Sequence, residues 1–215
     1  MNIEIKICGL DRAETVDTAV EAGATMTGFV FYSPSPRNLT PSEASVLTER
    51  IPAGVKRVGL FVNPTDEKVS TVLDENSLDL LQLHGEETPE RVFAIKNLSR
   101  LPVIKVLKIS SAKDLDHTSE YAGVADFFLF DARAPKEMKG RLPGGNALSF
   151  DWNIIAGTHI SRPWILAGGL NPDNVEEALR ISGAKAVDVS SGVEDRPGVK
   201  SVKKIQCFVA AVLET

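Results

Sequence analysis

The feature that most constrains this chain is a short apolar, β-branched run that returns eight times, each time closed by a polar or glycine-containing turn. The runs are Ile3–Cys8, Met26–Tyr32, Arg57–Val62, Asp79–His84, Pro102–Ile109, Asp126–Asp131, Trp164–Ala167 and Ala186–Ser190. They begin roughly 22 to 38 residues apart, the length of a strand followed by one crossover helix. Most lead into helical periodicity, clearest at Arg12–Ala22, Pro41–Arg50, Pro64–Glu75, Pro89–Lys96, Ala112–Ala122, Pro172–Ile181 and Val202–Leu213. Proline near several of these starts fits a first helical turn, where its missing N–H costs nothing. Phe127–Phe130 is apolar without alternation, as in an all-parallel sheet covered on both faces. Eight such units in 215 residues predict an α/β chain folded as one closed (β/α)8 TIM barrel, a single domain spanning 1–215. An open doubly wound sheet is the structural rival, but no G-x-G-x-x-G follows the first run.

Charge narrows the partners. The chain has 24 Lys and Arg against 29 Asp and Glu, a formal net charge of −5, so it offers no broad basic footprint for nucleic acid or an anionic membrane. A local cationic site for one small anion remains open. Cys8 and Cys207 cannot form a disulfide scaffold in a chain this size and point to a reducing compartment. The first ten residues lack the basic start and long apolar run of a secretory leader, and no segment approaches the roughly 20 apolar residues of a membrane span. The expectation is a cytoplasmic protein.

In a parallel barrel the βα loops converge at the C-terminal strand ends, so chemistry is sought there. Side-chain alternation turns Glu4, Lys6 and Cys8 inward and Ile3, Ile5 and Ile7 toward the helices. Cys8 then sits at the barrel mouth, with Gly9 giving a ligand close approach. It is either a buried thiol acting as a small hydrophobe or, with Lys6 favouring thiolate, a base or nucleophile. Cys207, in the apolar stripe of the last helix, reads as core. Asp131 ends a run of large apolar residues, where burial would raise its pKa toward general-acid use. Its plain alternatives are a helix cap or a partner for Arg133. Asp188 is inward by parity with Ser190, either orienting a substrate hydroxyl or pairing with Lys6 or Lys105 inside the barrel.

Two glycine-rich turns close the last two runs, Ala167–Pro172 and Ser190–Glu194. Phosphate-binding barrels receive the anion at these loops on backbone N–H groups, so Gly168, Gly169, Ser191 and Gly192 are candidate phosphate ligands. Arg37 is either a two-pronged partner for a carboxylate or phosphate or a solvated loop arginine. Gln82 and His84 share one strand face with His84 at the mouth; a lone histidine is more often a satisfied structural group than a base. The stretch 131–146 is a polar excursion with the composition of a lid or a plain surface loop. No metal-ligand spacing, P-loop or Ser-His-Asp order is present.

Taken together these segments resemble the phosphoribosylanthranilate isomerases of tryptophan biosynthesis. The resemblance lies in Lys6–Leu10, Gly28–Tyr32 with Arg37, Val58–Asn63, Leu81–Glu86, Phe130–Asp131 with Gly144–Gly145, Phe150–Trp152, Ala167–Pro172 and Ala186–Glu194. It runs almost from end to end and is loose only at Ile104–Lys105. It implies a barrel of the ribulose-phosphate-binding type, a small phosphorylated substrate and no cofactor, in a monomer or homodimer. The reaction implied is a cofactor-free Amadori rearrangement. By motif, Cys8 is the general base and Asp131 the general acid, Arg37 holds the anthranilate carboxylate and the two late turns hold phosphate; His84 and Asp188 are further candidate substrate-binding residues. Ala147 departs from the family pattern, where a Gly-Gly-Ser/Asn-Gly run is common. The competing readings are another phosphosugar barrel, using a Schiff-base lysine such as Lys6 or Lys105, and a phosphate-ligand-binding barrel without turnover.

Overall fold

Each apolar run becomes a strand because both its faces find cover, one inside a ring and one under helices. The computed structural model describes residues 3–134 and 142–215. The strands are β1 (Glu4–Cys8), β2 (Met26–Val30), β3 (Lys56–Phe61), β4 (Leu80–Leu83), β5 (Val103–Ile109), β6 (Phe127–Ala132), β7 (Trp164–Leu166) and β8 (Ala186–Val189). They pair in parallel and in sequence order, and β8 closes on β1, with Lys6 opposite Asp188. The eight runs read from the sequence are therefore the eight barrel strands, their ends displaced by at most two residues.

Parity sorts the core. Met26, Val58, Leu80, Ile104, Val106, Leu129, Ile165, Ala167 and Ala186 pack together inside the ring. Ile5, Ile7, Phe29, Phe61, Leu81, Phe128 and Phe130 pack between ring and helices. Glu4, inward by parity, lies at the N-terminal end, where it is half-exposed beside Lys56.

The helices are α1 (Ala13–Ala22), α2 (Pro41–Thr48), α3 (Asp66–Glu75), α4 (Pro89–Ser99), α5 (His117–Tyr121), α6 (Val175–Ser182) and α7 (Val202–Leu213). Thr40 and Thr88 cap α2 and α4, with Pro41 and Pro89 in the first turn as expected. Pro64 and Pro172 instead stand before their helices, and Thr65 is the cap of α3. The expected helix Ala112–Ala122 is a 3-10 turn, Ala112–Asp116, running into the short α5. Where a helix would follow β6, the described residues hold only the 3-10 turn Trp152–Ile154.

Helix α7 buries Ile205, Phe208, Val209 and Val212, a stripe at helical spacing that leaves Cys207 off the face. Cys207 is exposed, so its expected place in the core is corrected. A small antiparallel hairpin, β9 (Glu194–Arg196) and β10 (Val199–Lys200), follows β8 at the barrel mouth and was not anticipated. No helix among the described residues is long and apolar enough to cross a membrane.

Candidate functional site

A cavity opens at the C-terminal end of the barrel. Cys8, Arg37, His84, Asp131, Gly168, Gly169, Asp188 and Ser191 all line it, so the fold gathers eight of the nine candidates in one place. The ninth, Gly192, stands behind them: a Cβ there would fall on the Leu170 carbonyl.

On β1, Lys6 is fully buried and donates to Asp188 Oδ1 at 2.8 Å. Asp188 therefore pairs with Lys6, as one of its readings held. Lys105 is not inside the barrel: it shares the outward parity of Val103 and Leu107, bonds Glu87 at 2.6 Å and the Gly85 carbonyl at 2.7 Å, and lies against the Tyr121 ring. Lys6 and Lys105 are both held by carboxylates as ion pairs, which leaves the Schiff-base reading without a free amine among them. Gly28 makes room for this corner of the ring, since a Cβ there would lie 3.0 Å from Cys8 Cα, Cys8 Sγ and Lys6 Nζ alike. The effect of Lys6 on the thiol is smaller than expected. Burial pushes the Cys8 thiol up and the Lys6 ammonium offsets only part of it, so Cys8 rests as a thiol.

Asp131 corrects a second expectation. Burial pushes its carboxyl up, but the Lys108 ammonium overcomes that and holds it well below the usual carboxylate range. It is neither a helix cap nor the partner of Arg133, which bonds Asp114 and the Lys108 carbonyl instead. Its Oδ1 accepts from the Ala132 N–H at 2.9 Å, and its Oδ2 lies 2.6 Å from Lys108 Nζ and 3.1 Å from His84 Nε2. Lys108 Nζ is also 2.8 Å from His84 Nε2.

The Gln82 amide nitrogen is placed 3.0 Å from His84 Nδ1, while Gln82 Oε1 is buried without a partner. Amide orientation and histidine tautomer are assigned from such networks. Turning the amide over lets Nδ1–H donate to Oε1 and leaves Nε2 to accept from the ammonium, which avoids two donors meeting at 2.8 Å. Burial, then the Lys108 charge, lower the His84 pKa, so the ring is neutral.

Arg37 is buried rather than solvated. Its Nε and Nη2 donate to the two oxygens of Glu194 at 2.6 and 2.8 Å, and Lys200 Nζ donates to the same carboxylate at 2.6 Å. Glu194 feels burial upward and Arg37 and Lys200 downward, with the net below its ordinary value. The fork leaves Nη1 of Arg37 toward the loop at Gly145, where a Cβ would come within 2.8 Å of it. Gly9 serves Arg37 rather than a ligand: at φ 78° its missing side chain admits the Arg37 stem, whose Cδ would stand 2.6 Å from a Cβ.

Gly168 and Gly169 have φ of 86° and 64°, a region glycine enters freely. Their missing Cβ atoms leave space for backbone of the chain, Ala132 N beside Gly168 and Leu148–Ser149 beside Gly169, each at 2.7 Å. Among the described residues neither glycine N–H donates to a protein acceptor. Of the excursion after β6, residues 135–141 lie outside those described, whereas Leu142–Leu148 line the cavity. Ala147 adopts φ 55°, the conformation glycine would favour there. No three His, Cys, Asp or Glu side chains among the described residues form a metal-ligating group.

Sequence reasoning passed over Lys108, Glu194 and Lys200. Lys108 was readable by parity, since Ile104, Val106 and Lys108 share the inward face of β5. Glu194 and Lys200 carried no such signal, because the β9–β10 hairpin that presents them was not foreseen.

The geometry agrees with similarity to known proteins. A family model described as N-(5'-phosphoribosyl)anthranilate (PRA) isomerase matches residues 5–211. The N-(5'-phosphoribosyl)anthranilate isomerase of Paramagnetospirillum magneticum is 56% identical over 211 residues, covering 98% of this chain and 97% of that one. Its counterpart in Paracoccus denitrificans is 50% identical over 210 residues, covering 98% and 97%. The crystal structure of phosphoribosyl anthranilate isomerase from Thermotoga maritima aligns with a TM-score of 0.88 at 36% identity, over 99% of this chain and 100% of that one. A second crystal structure, of such an isomerase in complex with reduced 1-(o-carboxyphenylamino)-1-deoxyribulose 5-phosphate, aligns with a TM-score of 0.85 at 35% identity, over 99% and 100%.

Proposed function

Since the chain belongs to the N-(5'-phosphoribosyl)anthranilate isomerase family, we propose that its barrel-mouth cavity divides the family's chemistry between Cys8 as general base and Asp131 as general acid. The reaction is a step of tryptophan biosynthesis: the aminoaldose N-(5'-phosphoribosyl)anthranilate becomes the aminoketose 1-(2-carboxyphenylamino)-1-deoxyribulose 5-phosphate. One sugar carbon is reduced as its neighbour is oxidised, so the electrons stay within the substrate.

Asp131 protonates the furanose ring oxygen. The C1–O bond breaks with its electron pair on that oxygen, and the anilino nitrogen takes up the positive charge as a Schiff base. Cys8 then removes the proton from C2, the released pair neutralises the iminium, and the enolamine tautomerises to the ketone. The observation that carries this reading is that Cys8 and Asp131, far apart in sequence, face one cavity with Arg37, Asp188 and the Gly168–Gly169 turn. The Lys6 ammonium beside Cys8 opposes the cost of forming a buried thiolate. Arg37 Nη1, which has no acceptor among the described residues, belongs to a guanidinium fixed by Glu194 and suits the anthranilate carboxylate. The N–H groups of Gly168 and Gly169, with the Ser191–Gly192 turn, suit the phosphate. His84 and Asp188 complete the substrate's surroundings.

The reading carries with it a cytoplasmic enzyme acting on a small phosphorylated substrate as a monomer or homodimer; the two free cysteines fit a reducing compartment. The test is turnover of freshly made phosphoribosylanthranilate, followed by loss of its fluorescence. Cys8→Ala and Asp131→Asn should each cut turnover by roughly 10²–10⁴-fold with the fold intact. Near-wild-type turnover in both would overturn the acid–base assignment.

A further inference from the structure

Strand β5 brings to the mouth a side chain that the scheme above leaves unused. Lys108 pairs in register with Asp131 across the β5–β6 ladder, and its Nζ stands 2.6 Å from Asp131 Oδ2 and 2.8 Å from His84 Nε2. The three side chains differ in their access to water. Those of His84 and Asp131 are 9% and 11% exposed, whereas that of Lys108 is 21% exposed. Lys108 is thus the end of the cluster that meets solvent, and Asp131 is the end that meets the cavity.

We propose that Lys108 supplies, through Asp131, the proton that opens the furanose ring. This rests on Asp131 being the acid. Asp131, a carboxylate at rest, takes a proton from Lys108, whose N–H bond breaks and leaves an amine. As the C1–O bond breaks, its electron pair stays on the ring oxygen and takes that proton from Asp131, which is a carboxylate again. Solvent reprotonates that amine from its exposed side. Charge balances: an ammonium and a neutral ring become an amine and a hydroxy-iminium, with the carboxylate restored. The transfer runs toward the stronger base, since the departing ring oxygen is an incipient alkoxide.

The other groups facing the cluster do not supply this proton. His84 on β4 is neutral and accepts from Lys108. Asp188 on β8 is anionic and engaged with Lys6. Arg133, beyond β6, turns away to Asp114. A carboxylate held ionised by its neighbour cannot act as an acid alone, which is why the neighbour's proton is needed.

The experiment measures the chemical step by single turnover, enzyme in excess over phosphoribosylanthranilate, in full-length Lys108→Arg and Lys108→Ala. Arginine keeps the charge and the hydrogen bonds to Asp131 but does not give up a proton. Lys108→Arg is therefore expected to lose about 10²-fold or more in single-turnover rate while KM changes little. Lys108→Ala is expected to be slow, to lose further rate as pH rises from about 6 to 9, and to regain rate with ethylammonium but not with tetramethylammonium. Wild-type rate in Lys108→Arg would overturn the relay and leave Lys108 a charge that merely positions Asp131. A Lys108→Ala enzyme that is folded by circular dichroism and deaf to ethylammonium would overturn it as well. Asp131→Asn separates the two assignments: if it retains wild-type rate the acid itself is misassigned, and if it is inactive while Lys108→Arg is normal only the relay fails.

Discussion

Replacing Lys6 with methionine tests how the barrel tolerates charge at its centre. Methionine keeps much of the side chain's length and removes the ammonium. Lys6 is fully buried, and its partner Asp188 is 8% exposed at 2.8 Å. Breaking such a pair by deleting one partner costs about 3–5 kcal/mol, because the other charge stays behind unpaired. The exposed Arg50–Asp17 pair, with side chains 42% and 38% accessible, is by contrast worth about 0–1 kcal/mol. For a chain of this size about 2–4 °C is lost per kcal/mol, so the thermal midpoint of Lys6→Met should fall by roughly 6–20 °C.

The pH dependence has a definite sign. Burial lowers the Lys6 pKa, the Asp188 charge more than restores it, and the folded value ends above the ordinary one. The stability it contributes is complete below the unfolded lysine value of about 10.4 and is lost only as pH rises through the folded value. The deficit of Lys6→Met should therefore be constant across neutral pH and narrow only in strong alkali. The same substitution removes the group that opposes burial at Cys8, so the thiol should titrate higher. Urea unfolding at several pH values reads the first effect and thiolate absorbance the second. A variant within about 1 kcal/mol of wild type, or a thiol that titrates lower, would refute the reasoning.

Four further outcomes are expected. Gly28→Ala places a Cβ 3.0 Å from Cys8 Cα, which is backbone and cannot swing aside; urea unfolding should show a loss of about 1–3 kcal/mol. Asp131→Asn removes a carboxyl that burial raises but Lys108 holds low. Its stability contribution is present above the unfolded value of about 3.9 and lost as pH falls through the folded one, so the gap to wild type should close on acidification. Arg37→Leu should raise KM by roughly 10–100-fold, the worth of a charged hydrogen bond of about 1.5–3 kcal/mol, with kcat less affected. Ala147→Gly relieves a left-handed alanine at φ 55°; calorimetry should show a gain of up to about 1 kcal/mol, reduced by glycine's freedom when unfolded.

What the sequence made legible was periodicity, and periodicity carries direction but not partnership. The eight runs and their spacing were enough for the ring, alternation was enough to turn Cys8 and Asp188 inward, and Asp131 stood out as a carboxylate closing an apolar strand. Alternation says nothing about which counter-ion waits on the next strand. Lys105 looked like the interior lysine of β5, yet Glu87 holds it on the helix side while Lys108 reaches the mouth. The protonation states of Cys8 and Asp131 were misjudged for the same reason, since each is decided by burial against groups on neighbouring positions, chiefly Lys6 at Cys8 and Lys108 with His84 at Asp131. The glycines show a related limit. A glycine announces that something approaches closely, but at Gly9 it is the Arg37 stem and at Gly169 the backbone of residues 148–149.

The charges at the mouth explain how an acidic chain receives an acidic substrate. Lys6, Arg37, Lys108 and Lys200 are cationic there, and Asp131, Asp188 and Glu194 are anionic, leaving one positive charge in excess within a chain of net −5. Buried pairs of this kind are a poor source of stability, because desolvation cancels most of their attraction. Their use is positional. Apart from Lys200 and Glu194, which share the β9–β10 hairpin, the partners come from different segments around the mouth, so each charge is fixed by an element other than its own. Arg37, from the loop after β2, is aimed by Glu194 at the far side of the closure. Asp131, on β6, is gripped from β5, and Lys6, on β1, from β8. A substrate carrying a phosphate at one end and a carboxylate at the other would thus meet charges whose spacing the barrel sets, and that spacing is invisible to a composition that averages over the whole surface.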